Sequence, residues 1–141
     1  NIGLAVSIEE GLIVPSLSHC EEKNFLGICR SVNDIAIRAR GGKINPDELS
    51  GSTFSITNFG VFGVTLGTPI INQPNVGILG VGAIKKRPVV VDNEDGDSIG
   101  IKNIMILSLG FDHRLIDGAE GSKFINSIKR NLEAMPLEFK F

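Results

Sequence analysis

Net charge, cysteine and long apolar runs are what this sequence has little of. Its 141 residues carry 14 Lys+Arg and 16 Asp+Glu, a formal charge of −2, and so offer no electrostatic footprint for nucleic acid or an anionic membrane surface. The two cysteines, Cys20 and Cys29, are too few for a disulfide-dense scaffold and fit a reducing compartment. The longest uncharged apolar run, residues 76–84, is far shorter than the ~20 residues a membrane helix needs. No signal peptide is visible. His19 and Cys20 are adjacent while His113 is remote, so no zinc-ligand spacing emerges and no metal is expected.

What is present is an ordinary globular composition, 42% hydrophobic and 21% charged, in a length that predicts one domain with a real core. Glycine is in excess, at 17 of 141 residues against a usual share of roughly 7%. The glycines punctuate apolar segments instead of forming a repeat, as expected for many strands and close backbone approaches. There is no initiator Met, and Asn1 leads straight into the strand-like Ile-Gly-Leu-Ala-Val. The chain is therefore expected to be a piece of a longer one.

Residues 2–8 and 12–17 are apolar runs separated by Glu9-Glu10-Gly11, which predicts a hairpin with Gly where positive φ is cheap. Ser18 and Glu21 have capping-box spacing. After them Phe25, Cys29, Val32, Ala36 and Ala39 recur at helical spacing, with Ile28 and Ile35 widening the stripe. Cys29 is expected to be a buried packing residue on that stripe. Gly41-Gly42 stops the helix, and residues 45–49 predict a short helical turn with Pro46 at its first position. Residues 53–58, 65–71, 76–81, 88–91 and 104–111 read as strands, with 92–98 a polar loop tipped by Asp95-Gly96. An amphipathic helix over 117–133, with Phe124, Ile125, Ile128 and Leu132 on one face, closes the chain before Pro136. The expected fold is α+β, a two-layer sandwich of one mixed sheet with helices packed on it, in a single domain over residues 1–141.

Two segments are candidates for chemistry. His113 falls between the strand ending at Phe111 and the helix starting near Asp117. A histidine at such a corner is either bonded to backbone or exposed as a base, since its ordinary pKa of ~6.5 suits proton transfer near neutral pH. Asp117 either caps the final helix, with Glu120 completing a capping box, or orients a site. Gly118 marks a place where backbone can approach a ligand. In the second segment, residues 51–67, strand alternation puts Thr53, Ser55 and Thr57 on one face and Phe54, Ile56 and Asn58 on the other. The hydroxyl face either lines a channel or meets solvent. The glycines here do not precede a helix, so neither a dinucleotide fingerprint nor a phosphate loop is supported. No convincing covalent nucleophile appears.

Asp112-His113-Arg114-Leu115-Ile116-Asp117-Gly118 resembles the active-site signature of the dihydrolipoyl acyltransferases, the core components of 2-oxo acid dehydrogenase complexes. Residues 11–15, 51–60, 68–72 and 78–80 also resemble family segments, in family order, so the resemblance covers roughly residues 1–135. It implies a fold like that of the chloramphenicol acetyltransferases and direct acyl transfer between dihydrolipoyl thiols and coenzyme A. Carried over, His113 is the general base and Thr57 the donor to the tetrahedral oxyanion. Asp117 organises the site, in relatives by pairing with an arginine from an earlier segment. Ser55, Asn58 and Gly118 are expected along the substrate and coenzyme A channel. The family's catalytic domain is longer, with an N-terminal portion absent before Asn1, as are the lipoyl and subunit-binding domains.

The resemblance further implies a homotrimer, the active site lying between subunits, within a larger core. Its partners would be the lipoyl domain and the other subunits of the complex, with no nucleic acid or membrane. Coenzyme A is a substrate, and the lipoyl group sits on a domain outside this chain. The location would be cytoplasmic in a bacterium or the mitochondrial matrix in a eukaryote. Residues 68–72 resemble succinyl or branched-chain members, and 82–88 branched-chain or generic bacterial ones. A catalytically silent structural core and a chloramphenicol-type O-acetyltransferase are the alternatives. A peptide-synthesis condensation domain usually carries a second His before the motif, where this chain has Asp112.

Overall fold

The computed structural model of the chain describes residues 1–94 and 96–136; Asp95 of the expected loop tip lies outside them. The predicted first hairpin forms, but each of its arms is broken in two. β1 (Ile2–Leu4) and β2 (Val6–Ile8) run into β3 (Gly11–Ile13) and β4 (Ser16–Leu17). Val6 pairs with Ile13 and Ile8 with Gly11, and Gly11 takes the positive φ of 143° that the turn requires. Then come α1 (Phe25–Arg40), β5 (Phe54–Asn58), β6 (Gly77–Val81), β7 (Lys85–Val91), β8 (Ser98–Ile104), β9 (Leu107–Phe111) and α2 (Gly118–Glu133). The fold is α+β, with a five-stranded mixed sheet in the order β4-β1-β5-β6-β9 and two separate ribbons, β2-β3 and β7-β8.

The sheet has two different faces. Ile56 pairs with Leu79 and Leu79 with Leu109, whereas Ser55 pairs with Ile78 and Thr57 with Gly80. Alternation therefore sends most of the large apolar side chains, Ile78 apart, to one face, where the helices pack. Phe54 meets Phe124 of α2 edge-on at 5.7 Å, and Val32 and Ala36 of α1 share a cavity with Ile56. The hydroxyl and glycine face is covered instead by the segment between β5 and β6.

That segment includes residues 65–71, expected as a strand, and here the expectation fails. Gly63 turns the backbone with φ 78°, and the chain then runs irregularly over the sheet. Its backbone is committed to covering: Ala83 N–H donates to Val64 O at 2.9 Å, and the Thr65 carbonyl presses on Gly82. The strand expected over 104–111 splits, and β8, read in part as loop, pairs along its length with β7 from Lys85↔Ile104 to Val91↔Ser98.

The first helix starts later than the capping-box spacing predicts. His19 is left-handed and opens a 3-10 turn, Cys20–Glu22, and Asn24 caps α1 through a 2.8 Å bond from Gly27 N–H. Ile35 and Ala39 are its buried residues, while Cys29 is exposed. The buried-cysteine reading is thus corrected: α1 packs chiefly on the short β2 and β4, a strip too narrow to cover the whole apolar stripe. Arg38 anchors the helix end, with Nη1 and Nη2 2.6 and 2.8 Å from the two Glu48 oxygens and Nε 2.8 Å from Asp34. Glu48 in turn caps the 3-10 turn Pro46–Leu49, which has the predicted Pro at its start.

Gly82 is the tightest point of this packing, since a Cβ there would meet Thr65 O and lie 3.0 Å from Ile106 O. Backbone on both sides leaves no soft neighbour to yield. Gly82→Ala should lower the unfolding free energy by about 1–3 kcal/mol in urea melts. Gly118→Ala, with nothing within 4 Å and a helical backbone, should be neutral or stabilising by up to ~1 kcal/mol. Equal effects of the two would contradict this packing.

Candidate active site

His113 stands on a corner built almost entirely by its neighbours. Asp112 N–H donates to Val76 O at 2.9 Å, and the Asp112 carbonyl accepts from Leu115 and Ile116 N–H at 3.0 Å each. The Asp112 carboxylate accepts from Arg114 four times: from Nε at 2.9 and 3.2 Å, from Nη2 at 2.6 Å and from the backbone N–H at 3.0 Å. These bonds from Arg114 hold the Asp112 carboxyl well below its usual range, at about 2. The His113 side chain is exposed and rests on the Phe111 ring, centroids 5.5 Å apart and planes 42° from parallel. Among the described residues nothing hydrogen-bonds its imidazole, so the backbone-bonded corner histidine is not what forms.

Asp117 caps α2, its carboxylate accepting from Glu120 N–H at 2.8 Å, as the capping spacing predicts. Among the described residues no arginine bonds to it. Gly118 is the first residue of α2 and faces open space.

Thr57 lies elsewhere, half-buried in the wall of a groove of about 590 Å³ between the sheet and the covering segment. Ala5, Leu12, Val14, Ile70 and Ile71 give that groove largely apolar walls. Among the described residues the Thr57 hydroxyl has no hydrogen-bond partner, which leaves its O–H free to donate into the groove. Ser55, on the same face, is fully buried and accepts from Asn75 Nδ2, while Asn75 Oδ1 accepts from Ser52 at 3.2 Å. Ser55 thus belongs to a closed polar cluster at the back of the groove. Asn58 is exposed and folds back to accept from Gly60 N–H at 3.0 Å.

One chain does not bring His113 and Thr57 together. Thr57 is level with Gly80, and Gly80 with Ser108. His113 lies five residues past Ser108, beyond the opposite end of β5, because Phe111 is already level with Gly77. Two strand spacings of ~4.8 Å and at least ~10 Å along the strands separate them, far beyond the ~3 Å reach of a base and an oxyanion donor serving one atom.

Sequence reasoning missed Asn75 and the grip of Arg114 on Asp112. The Asp-x-Arg spacing was the available signal for the second; nothing local marks the first. Among the described residues, only His19, Glu21 and Glu22 place metal-ligating atoms within 4.8 Å of one another, and all three are exposed.

The model of the 2-oxoacid dehydrogenases acyltransferase catalytic domain matches residues 1–139. A dihydrolipoyllysine-residue acetyltransferase component of the pyruvate dehydrogenase complex from Mycobacterium bovis is 47% identical over 134 residues, 94% of this chain and 24% of that protein. The chain therefore spans about a quarter of the length of this relative. An Azotobacter vinelandii dihydrolipoamide acetyltransferase, investigated for the roles of a Ser, a His and an Asn in its catalytic mechanism, superposes with a TM-score of 0.86. It is 34% identical, over 94% of this chain and 53% of that one. The cubic core of a pyruvate dehydrogenase multienzyme complex gives a TM-score of 0.85 at 34% identity, over 93% of this chain and 52% of that one. The chain belongs to the catalytic-domain family of the 2-oxoacid dehydrogenase acyltransferases.

Proposed function

We propose that this chain is the C-terminal part of an acyltransferase catalytic domain that moves an acyl group between a dihydrolipoyl thiol and coenzyme A, at a site shared by two subunits. The observation that carries the shared site is the separation of His113 from Thr57 within one chain. A three-fold ring of head-to-tail contacts gives each exposed His113 a neighbour's Thr57 groove to face. Exposed apolar side chains support such contacts: Ile70 is 91%, Ile99 82% and Ile101 75% exposed, more apolar surface than a lone subunit usually leaves open.

The chemistry follows from the two halves. A thiol of pKa ~8.5 is mostly protonated at neutral pH and nucleophilic only as the thiolate. His113 takes the thiol proton, the sulfur attacks the thioester carbonyl, and the carbonyl oxygen becomes an oxyanion that accepts from the Thr57 O–H. Collapse breaks the original C–S bond, and the departing sulfur takes the proton back from His113. No enzyme nucleophile is required. The largely apolar groove with the Thr57 hydroxyl in its wall suits an aliphatic thiol arm. The Azotobacter enzyme's His and Asn are four residues apart, as are His113 and Asp117, which supports Asp117 as the site's organiser; Gly118 beside it leaves room for substrate.

The acyl group we propose is acetyl, since the Mycobacterium relative is an acetyltransferase of the pyruvate dehydrogenase complex; this replaces the leaning of residues 68–72 and 82–88 toward succinyl or branched-chain members. Partners would be the lipoyl domain and the other subunits of that complex, around a trimer-based core in a bacterial cytoplasm. A silent structural core is the second reading, favoured by the incompleteness of the site in one chain.

Three outcomes are expected. His113→Ala should slow transfer from acetyl-CoA to dihydrolipoamide by about 10²–10⁴-fold, and Thr57→Val by about 10²–10³-fold, with coenzyme A binding kept in both. Among acetyl-, succinyl- and isobutyryl-CoA, acetyl-CoA should give the highest kcat/KM. Sedimentation should show a trimer or a multiple of it; a stable monomer, or full activity in His113→Ala, would overturn the proposal.

A further inference from the structure

Arg114 and Asp112 form an ion pair that flanks His113 on both sides, yet the function proposed above gives neither a role. Their arrangement is more elaborate than a surface pair needs. The carboxylate takes three bonds from one guanidinium and one from the Arg114 backbone N–H, while the Asp112 backbone is bonded on both its N–H and its C=O. Both residues adjacent to His113 are thus fixed, and the imidazole is left on the Phe111 ring.

Asp112 and Arg114 cancel each other's charge on the two residues that flank His113. Asp117 and Glu120, at the start of α2, are the nearest other charged residues in the sequence on the elements meeting there, and they sit at the helix N-terminus, where the helix dipole offsets part of their charge. β6 and the preceding residues 70–76, which supply Val76 O to the corner, contain no charged residue.

We propose that Asp112 and Arg114 are the positioning residues of His113: they pin the backbone on either side of the imidazole and cancel each other's charge next to it, so that the base is held in place without a net charge from its two neighbours. An unpaired carboxylate next to an imidazole favours the imidazolium, which is useless as a base. Asp112 alone would therefore impair the site that it anchors, and Arg114 removes that penalty while supplying the bonds that hold the turn. Because Arg114 keeps the Asp112 carboxyl at about 2 and its own guanidinium is raised by Asp112, the cancellation holds across the working pH range.

The inference rests on His113 as the base, but its test does not need activity. The chain has two histidines, His19 and His113. His19 faces Glu22 on a distant turn, so it serves as an internal reference in an NMR titration of the full protein. Asp112→Asn leaves Arg114 unpaired and should lower the His113 titration midpoint by about half a pH unit or more, whereas Arg114→Gln leaves Asp112 unpaired and should raise it by a similar amount. The double variant should return close to the original midpoint, with His19 unmoved throughout. In acetyl transfer, the acid limb of kcat/KM should move in the same opposite directions, with kcat reduced in both single variants and KM little changed.

Unmoved midpoints in both single variants, or midpoints that move in opposite directions while kcat on its pH-independent plateau stays at the original value in both, would overturn the proposal, with circular dichroism showing both variants folded. Opposite NMR shifts combined with a fully active His113→Ala would instead sustain the charge balance and sink the acyl-transfer reading.

Discussion

The register that sets Thr57 level with Gly80 and Gly80 level with Ser108 governs the rest of this molecule. It fixes the hydroxyl donor at one end of the hydroxyl and glycine face and leaves the β9–α2 corner at the other. A one-residue slip of β5 would turn Thr57 to the helix face, and the buried Ser55–Asn75 bond at its back opposes such a slip. The same register keeps Gly80 between Thr57 and Ser108, which allows the Phe59 ring to close on the sheet. The sheet thus holds His113 and Thr57 apart in a single chain, and the chemistry proposed here needs a second copy to bring them together.

Each half is prepared separately. The groove half presents an unbonded hydroxyl from a strand whose neighbouring serine is fully engaged, so one O–H is available without a competing partner. The corner half presents an exposed imidazole on a turn whose Asp112 N–H, carbonyl and carboxylate are all hydrogen-bonded. Among the described residues neither half contains a cysteine. Cys20 Sγ donates to Leu17 O at 3.3 Å, and neither cysteine lines the groove. This agrees with a reaction in which both sulfurs arrive on the substrates.

Much of this was legible in the sequence, for reasons that can be traced to particular residues. Period-two alternation placed Thr57 opposite in face to Ile56, and the three-residue spacing to Glu120 placed Asp117 as a helix cap. Four features were not legible. β8 has its apolar residues, Ile99 and Ile101, exposed, so no core-facing pattern announced it. Residues 65–71 carry strand-like side chains, but the adjoining Val64 carbonyl is bonded by Ala83, and the Thr65 and Pro69 carbonyls press on Gly82 and Gly110, a tertiary demand that propensity does not record. Cys29 kept the helical period yet fell outside the strip that β2 and β4 cover. The separation of His113 from Thr57 required strand order and register, which no local pattern encodes.

The central claim, a site shared between subunits, is tested most directly by mixing two inactive variants. His113→Ala and Thr57→Val would be coexpressed in equal amounts, so that they assemble together, and acetyl transfer measured per site. A shared site predicts that activity reappears, at about a quarter of the original, because one interface in four then pairs an intact His113 with an intact Thr57 across the ring. Activity no greater than the average of the two variants made separately would contradict it and place the whole reaction within one chain.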